Sequence, residues 1–408
     1  MLIFYGAGRY AYENIDRYIS EDNAPVCFSD VDQNKHYKHI KANTGEIFEI
    51  LPINEAIERY PESEIVITTY MERYPIYESL IEFGVPPDRI RKPVDLPKKH
   101  DSPKWCPFIG NYFYMDGQGV RTCCERHSVI LPSKGNIRDD LEQYDFYTSK
   151  LKNKLESCQA TSCSDCYLLR DGVSSDEINI TRVNLSSGIP GGDLCNFKCL
   201  YCTYGKHLGK CRYEENVYEV LSYLSEASQV EDVLYASGEI TVSPFCDEIL
   251  DLWRKNRWKG SILTNASVYN EKLAELLSEG SVTLNCSLDA GTSKTFARIK
   301  GVDCFKDVVG NLTKYASTGG KITCKYIILD GINNNAEDID GFLSISKDID
   351  ANVCISRDSR LFSAPMTESE YSTISQLVNK CRAMDIPYYL LLSYMDNDIE
   401  RLERDGFI

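Results

Sequence analysis

From Ile178 to its end the chain repeats one pattern six times: a short apolar run rich in β-branched residues, then a longer stretch with helical periodicity. Strands are expected near 180–185, 230–236, 260–264, 282–288, 321–328 and 351–356, with helices near 213–227, 245–257, 270–279, 303–317, 336–348 and 368–384. A strand, a crossover helix and a further strand place the two strands parallel, because a tight hairpin cannot make that connection. Six such units in series predict an α/β fold whose main body, residues 178–408, is a partial (β/α)6 barrel. In parallel barrels the chemistry sits on the loops at the carboxyl ends of the strands, so those loops are where functional residues are sought.

Residues 1–97 show a second, shorter alternation. Strands are expected at 2–5, 26–29, 64–69 and near Ile90, with a helix from Ala11 to about Ile19 and another over 76–83, the pattern of a small parallel sheet. Gly6-x-Gly8-x-x-Ala11 follows the first strand and opens the first helix. Such glycines let backbone approach a phosphate at a helix N-terminus. Asp30, at the end of the second strand, stands where a ribose-binding acid would. A proline- and lysine-bearing linker follows, and residues 98–172 read as a loop-rich middle domain with a helix around 146–156.

The formal charge is −16, from 45 Lys and Arg against 61 Asp and Glu. That balance argues against a protein that clamps nucleic acid, which needs a basic surface. No apolar run reaches the length of a membrane span, and the N-terminus carries no basic region of the kind that opens an export signal, so a cytoplasmic protein is expected. In that compartment clustered cysteines point to metal or redox chemistry rather than disulfides. The chain has 17 cysteines; only Cys27 falls within residues 1–97, whereas ten fall within 106–211.

Just after the first barrel strand runs Gly191-Gly-Asp-Leu-Cys195-Asn-Phe-Lys-Cys199-Leu-Tyr-Cys202. Three thiolates this close can share one metal site, and thiolates are the ligands iron–sulfur clusters require. Zinc would want a fourth ligand, and neither His207 nor Cys211 completes a familiar zinc spacing. Three cysteines leave one iron of a [4Fe–4S] cube free for a small molecule.

The spacing C-x3-C-x-aromatic-C in this context resembles the radical S-adenosylmethionine (SAM) superfamily. Ala236-Ser237-Gly238-Glu239 after strand two is similar to that family's Gly-Gly-Glu element. Asn265 ends strand three, Ser287-Leu-Asp289-Ala-Gly291 ends strand four, and Phe296-Ala-Arg298-Ile-Lys300-Gly301 follows. The resemblance implies that Cys195, Cys199 and Cys202 hold three irons while SAM chelates the fourth. It implies that Tyr201 borders the adenine, that Glu239 accepts from the SAM ammonium beside Ser237 and Gly238, that Ser287 lies near the ribose or the carboxylate, and that Asn265 lies on the same barrel mouth. Lys300 stands where many members have arginine and cannot make its bidentate carboxylate contact; Arg298 is the substitute. The activity implied is reductive cleavage of SAM to a 5′-deoxyadenosyl radical and abstraction of a substrate hydrogen atom, with a flavodoxin- or ferredoxin-type electron donor.

The middle segment carries Cys106, the pair Cys123-Cys124, then Cys158, Cys163 and Cys166. Four thiolates from two short pieces signal a metal site. The arrangement resembles the twitch half of SPASM domains, which bear auxiliary [4Fe–4S] clusters, displaced here to the N-terminal side of the barrel. Cys106, Cys124, Cys163 and Cys166 are the expected ligands, with Cys123 competing with Cys124 and Cys158 an alternate; a structural zinc is the other reading. Residues 1–97 resemble the small Rossmann-like domains that precede nucleotide-sugar enzymes, which implies a nucleotide or nucleotide-sugar, a docking role, or an NAD site.

Cys354 near the end of strand six is a candidate hydrogen-atom donor. Asp289 and Asp358 are candidate bases, and Arg357 and Arg360 candidate anion holders. The expected substrate is a sugar or nucleotide-activated sugar, oxidised or epimerised. Modification of a ribosomally made peptide is the first alternative, and a non-catalytic iron–sulfur scaffold the second.

Overall fold

A computed structural model describes residues 2–7, 25–30, 33–41, 45–68, 73–91, 99–116, 119–123, 129–164, 166, 168–174, 179–186, 188–202, 213–361, 365–391 and 396–408. The chain forms two compact units. One comprises Met1–Ile109, Arg121–Ile130 and Asp145–Ile178; the other comprises Gly110–Val120, Leu131–Tyr144 and Asn179–Ile408. The expected middle segment is therefore divided between them.

The first unit holds β1 (Leu2–Tyr5), β2 (Pro25–Ser29), β3 (His39–Lys41), β4 (Ile47–Leu51), β5 (Glu64–Ile67) and β6 (Ile90–Arg91), in the order β3-β4-β2-β1-β5-β6. All described pairings are parallel except β3 with β4. Every residue of β1 is buried, as expected of a strand covered on both faces. Ile3, Tyr5, Cys27, Ile65 and Leu80 pack on one side. Leu2, Phe4, Phe28 and Phe48 pack on the other, with Phe28 edge-on to Phe4 at 5.4 Å. Strands β3 and β4 were not expected. The expected first helix, with Gly8 and Ala11, lies outside the described residues.

Short strands β7 (Lys104–Trp105) and β11 (Arg170–Asp171) pair antiparallel in the same unit. The helix Ile137–Glu156 begins well before the expected Phe146. It ends with Cys158 in the left-handed region at φ +59°. Gln159 N–H donates to the Lys154 carbonyl at 2.8 Å and Cys158 N–H to that of Leu155 at 3.2 Å, the two bonds of a Schellman stop.

The second unit is built on a sheet ordered β10-β9-β8-β12-β13-β14-β15-β16-β17-β18. Its strands are β8 (Tyr112–Asp116), β9 (Gly119–Arg121), β10 (Ile130–Pro132), β12 (Arg182–Leu185), β13 (Asp232–Tyr235), β14 (Lys259–Thr264), β15 (Val282–Ser287), β16 (Ile322–Ile328), β17 (Asn352–Arg357) and β18 (Tyr388–Leu390). From β12 to β18 each strand is parallel to the next; the alternation predicts those up to β17, and β18 is a seventh strand that was not expected. β8 adds itself parallel to β12, Tyr112 opposite Arg182, so part of the supposed middle domain extends this sheet. β15 alternates strictly: Val282, Leu284 and Cys286 are buried, while Thr283, Asn285 and Ser287 share the other, half-exposed face. After it come two helices, Ser293–Lys300 and Phe305–Ala316, where one was expected.

Five helices of the second unit start on residues whose side chains cap them. Asn216 with Glu219 and Thr367 with Glu370 form reciprocal capping boxes, and Asn270, Thr292 and Asn335 accept from the first turn. Among the described residues no helix is long and apolar enough to cross a membrane.

Candidate functional site

The three-cysteine loop leaves the carboxyl end of β12 and is clasped by the loops after β13 and β14. Gly238 has φ +47°, and a Cβ there would stand 2.3 Å from the Gly192 carbonyl oxygen. Only glycine permits that approach. Glu239 N–H donates to the Leu194 carbonyl at 2.7 Å. Ser237 Oγ donates to Asp193 at 2.8 Å, and Asp193 accepts from Gly188 N–H at 2.6 Å. Asn265 Nδ2 donates to Asn196 Oδ1 at 2.8 Å and lies 3.8 Å from Cys195 Sγ, which also faces Phe197 N–H at 3.5 Å.

Cys195 is exposed, and Cys199 and Cys202 are half-buried. Burial pushes the Cys199 thiol up to about 11, opposed by the Lys300 charge and aided by Asp289 and the thiols of Cys195 and Cys202. The three thiols therefore lie within one another's electrostatic reach. No group of three or more Cys, His, Asp or Glu side chains among the described residues is gathered tightly enough to hold a metal ion. The fit to an iron–sulfur cluster lies in the donor set, three soft thiols on one loop with an open fourth position.

The structure gives several residues singled out in the sequence other tasks. Glu239 is fully buried. Its carboxylate accepts from Thr241 N–H at 3.1 Å, Thr241 Oγ1 at 2.7 Å, Thr264 Oγ1 at 2.8 Å, and Asn265 N–H. Four donors match the four acceptor sites of a carboxylate. Glu239 thus joins the ends of β13 and β14. Burial raises its carboxyl above the usual range, and these donors only partly offset that.

Asp289, expected as a base, is 0% exposed and takes the left-handed φ of +58°. Its Oδ1 accepts from Ile327 N–H at 2.7 Å, and its Oδ2 from Tyr201 OH at 2.6 Å and Lys300 Nζ at 2.5 Å. It is a joint, closed to substrate. Lys300 is buried in that joint and Arg298 is exposed, so Lys300 does not offer itself to a SAM carboxylate. Tyr201 points its hydroxyl into the same joint. Asp358 is held by Arg360 at 2.9 Å, and Arg360 also donates to the Leu200 carbonyl at 2.9 Å. Arg357 is buried and chelated by Glu370 at 2.9 and 3.0 Å. Neither arginine is an open anion holder.

Ser287, Lys325, Cys354 and Tyr389 stand in one register row across β15 to β18. Burial raises the Cys354 thiol, and it is hydrogen-bonded by Tyr389.

In the first unit, Asp30 Oδ2 accepts from Ala7 N–H at 2.7 Å and Lys35 Nζ at 2.8 Å, while Gly6, at φ +113°, donates to the Ser29 carbonyl at 2.8 Å. The acid closes on the glycine turn itself rather than standing open to a ribose. Gly8 lies outside the described residues.

Cys163 is buried. Burial pushes its thiol up to about 12, and the thiols of Cys123, Cys106 and Cys166 add to this. Cys124, the expected ligand, lies outside the described residues; Cys106, Cys123 and Cys166 are the described thiols that act electrostatically on Cys163. Short turn bonds shape this corner: Cys166 N–H donates to the Cys163 carbonyl at 2.9 Å and Cys163 N–H to Thr161 Oγ1 at 3.1 Å. Cys158 serves the helix stop described above.

Residues 189–344 match the family model of the radical SAM superfamily. This segment is similar to that family, and the similarity implies SAM and a [4Fe–4S] cluster. The chain is 27% identical over 203 residues to a UPF0026 protein of Helicobacter pylori, covering 44% of this chain and 64% of that one. It is 26% identical over 151 residues to the GTP 3′,8-cyclase of Synechocystis, covering 35% and 45%. It thus spans less than two thirds of the length of either relative. Among solved structures, it is similar to Streptococcus suis SuiB bound to SAM, with 13% identity, TM-score 0.40 and coverage of 62% of this chain and 55% of that one. It is also similar to a radical SAM methyltransferase from Sphaerobacter thermophilus, with 14% identity, TM-score 0.37 and coverage of 50% and 64%.

Proposed function

We propose that the protein is a radical SAM enzyme that abstracts a hydrogen atom from a sugar or nucleotide-activated sugar and epimerises it. The observation that carries the radical SAM reading is the loop of Cys195, Cys199 and Cys202 clasped at the carboxyl ends of β12 to β14. When bound there, a [4Fe–4S] cluster with SAM supplies one-electron cleavage of a sulfonium bond and a hydrogen-abstracting carbon radical. Cys195, Cys199 and Cys202 would hold the cluster, Asn265 would fix the direction of Cys195, and the Gly238 approach would keep the loop seated.

Epimerisation is preferred over oxidation because Asp289 and Asp358, the two base candidates, are consumed by internal partners, while Cys354 keeps its place on β17. Its S–H would return a hydrogen atom to the substrate carbon. The thiyl left behind would then take one electron and one proton from the flavodoxin- or ferredoxin-class donor and solvent. Cys106, Cys123, Cys163 and Cys166 would hold a second cluster in the first unit, and the glycine turn at Gly6 would support a nucleotide-sugar role for the N-terminal sheet.

The deciding experiment is anaerobic reconstitution followed by reduction with SAM present. Formation of 5′-deoxyadenosine supports the radical SAM reading, and its absence with several reductants refutes it. For the finer reading, product formed in D2O carries one solvent deuterium, and Cys354→Ala abolishes product while SAM cleavage continues.

A further inference from the structure

We propose that the trio of Tyr201 and the buried pair Asp289 and Lys300 sets the position and the electron affinity of the cluster held by Cys195, Cys199 and Cys202. This rests on the radical SAM reading and extends it to side chains that act through the loop.

Three consecutive residues grip the loop around Cys199. The Ile299 carbonyl accepts from Leu200 N–H at 2.9 Å, and the Lys300 carbonyl from Lys198 N–H at 3.0 Å. Gly301, at φ +73°, passes so close that a Cβ would lie 3.1 Å from the Lys198 carbonyl oxygen. Cys199 sits between those two backbone bonds. The Lys300 side chain then reaches the next residue but one, donating to Tyr201 OH at 2.7 Å with its ammonium 5.1 Å from the ring centroid. Phe197 meets Phe296 edge-on at 6.0 Å and seals the other side.

The anchor itself is charged and dry: Lys300 is 2% and Asp289 0% exposed, with Nζ and Oδ2 2.5 Å apart. A buried ion pair is weak evidence of stability, since well-packed apolar residues often do as well. Asp289 also spends an unfavourable left-handed backbone conformation to be there, and Asn333 Nδ2 clamps its carbonyl at 2.8 Å. A charge pair maintained at that cost beside an electron-accepting group has an electrostatic use. Reduction adds one negative charge to the cluster. The Lys300 cation favours that charge and the Asp289 anion opposes it, both in a medium that screens poorly. Burial alone would lower the Lys300 ammonium, yet Asp289 holds it raised, so the cation persists.

The test uses the full chain, reconstituted anaerobically, with iron counted and cluster potential titrated by electron paramagnetic resonance. The signal followed is the one lost in the Cys195, Cys199, Cys202→Ala triple variant. If that triple variant keeps all the iron of the parent, the radical SAM reading fails and the trio is moot. With the reading intact, Lys300→Gln is expected to make the cluster at least tenfold harder to reduce, about 59 mV for one electron. Asp289→Asn, a side chain that tolerates the left-handed backbone, is expected to shift it by a similar factor the other way. The double variant returns to within about threefold of the parent by the same conversion. Equal-signed shifts in the two single variants, or none in either with iron intact, overturn the proposal. Should Lys300→Gln not fold, Tyr201→Phe cuts only the hydroxyl link. It is expected to keep the iron but lose it faster to a chelator; an unchanged loss rate together with an unshifted Asp289→Asn overturns the proposal.

Discussion

The two groups of cysteines differ in how their thiols meet water. Around Cys195 the loop is open: that thiol is exposed, and the bonds holding it run to backbone and amide donors from neighbouring strand ends. Around Cys163 the corner is shut: the thiol is buried, and three further thiols and the half-buried Tyr147 act on it electrostatically or are acted on by it. Catalytic metal sites keep a position open and structural ones close it. By that rule the first group suits a cluster that must bind a small molecule, and the second suits one that only stores or passes electrons.

The comparison breaks most readily on single cysteines. Cys199→Ala is expected to abolish SAM cleavage and leave the iron of the Cys163 group in place. Cys163→Ala is expected to lose about four irons while SAM cleavage without substrate persists; iron counts and product assays on both variants check this, and equal losses in both would erase the distinction. Gly238→Ala should be the most damaging change outside the thiols. It forces a Cβ into the Gly192 carbonyl and costs on the order of 3 kcal/mol or more by strain and overpacking, read as a fall in unfolding midpoint and loss of SAM cleavage. Cys123→Ser is expected to lower iron content where Cys124→Ser leaves it unchanged, and the reverse result would restore the sequence-based ligand set. The mildest effect concerns pH. Ligation needs thiolates, and one thiol of each group is clearly raised, Cys199 to about 11 and Cys163 to about 12. Metal loading should therefore quicken as pH rises from 6.5 to 8.5, both in a Cys199→Ala background that isolates the Cys163 group and in the converse variant, read as the rate of iron uptake.

Much of this was legible in one sequence because it is written in local patterns. The order of strands and helices after Ile178 follows from periodicity, and the loop of Cys195, Cys199 and Cys202 from spacing. What was not legible depends on partners far along the chain. Nothing local in Lys300 says that it turns inward, because its partner Asp289 is eleven residues away, before the helix that Lys300 ends. Glu239 reads as a free acid until Thr264 and Asn265 close on it. Adjacent Cys123 and Cys124 are alike in sequence, and Cys124 lies outside the described residues. The strand at Tyr112 was hidden for the same reason, since its partner Arg182 lies seventy residues on.

The way the chain threads its two units has a practical result. It passes from one to the other at residues 109/110, 120/121, 130/131, 144/145 and 178/179, so no single cut divides them. A chain started at Asn179 would keep every cysteine of the SAM-type loop, yet it would lose β8 to β10 and leave β12 as a bare strand edge. Unpaired edges of parallel sheets recruit other chains. Truncation to the apparent catalytic body is therefore expected to yield aggregate rather than a smaller enzyme.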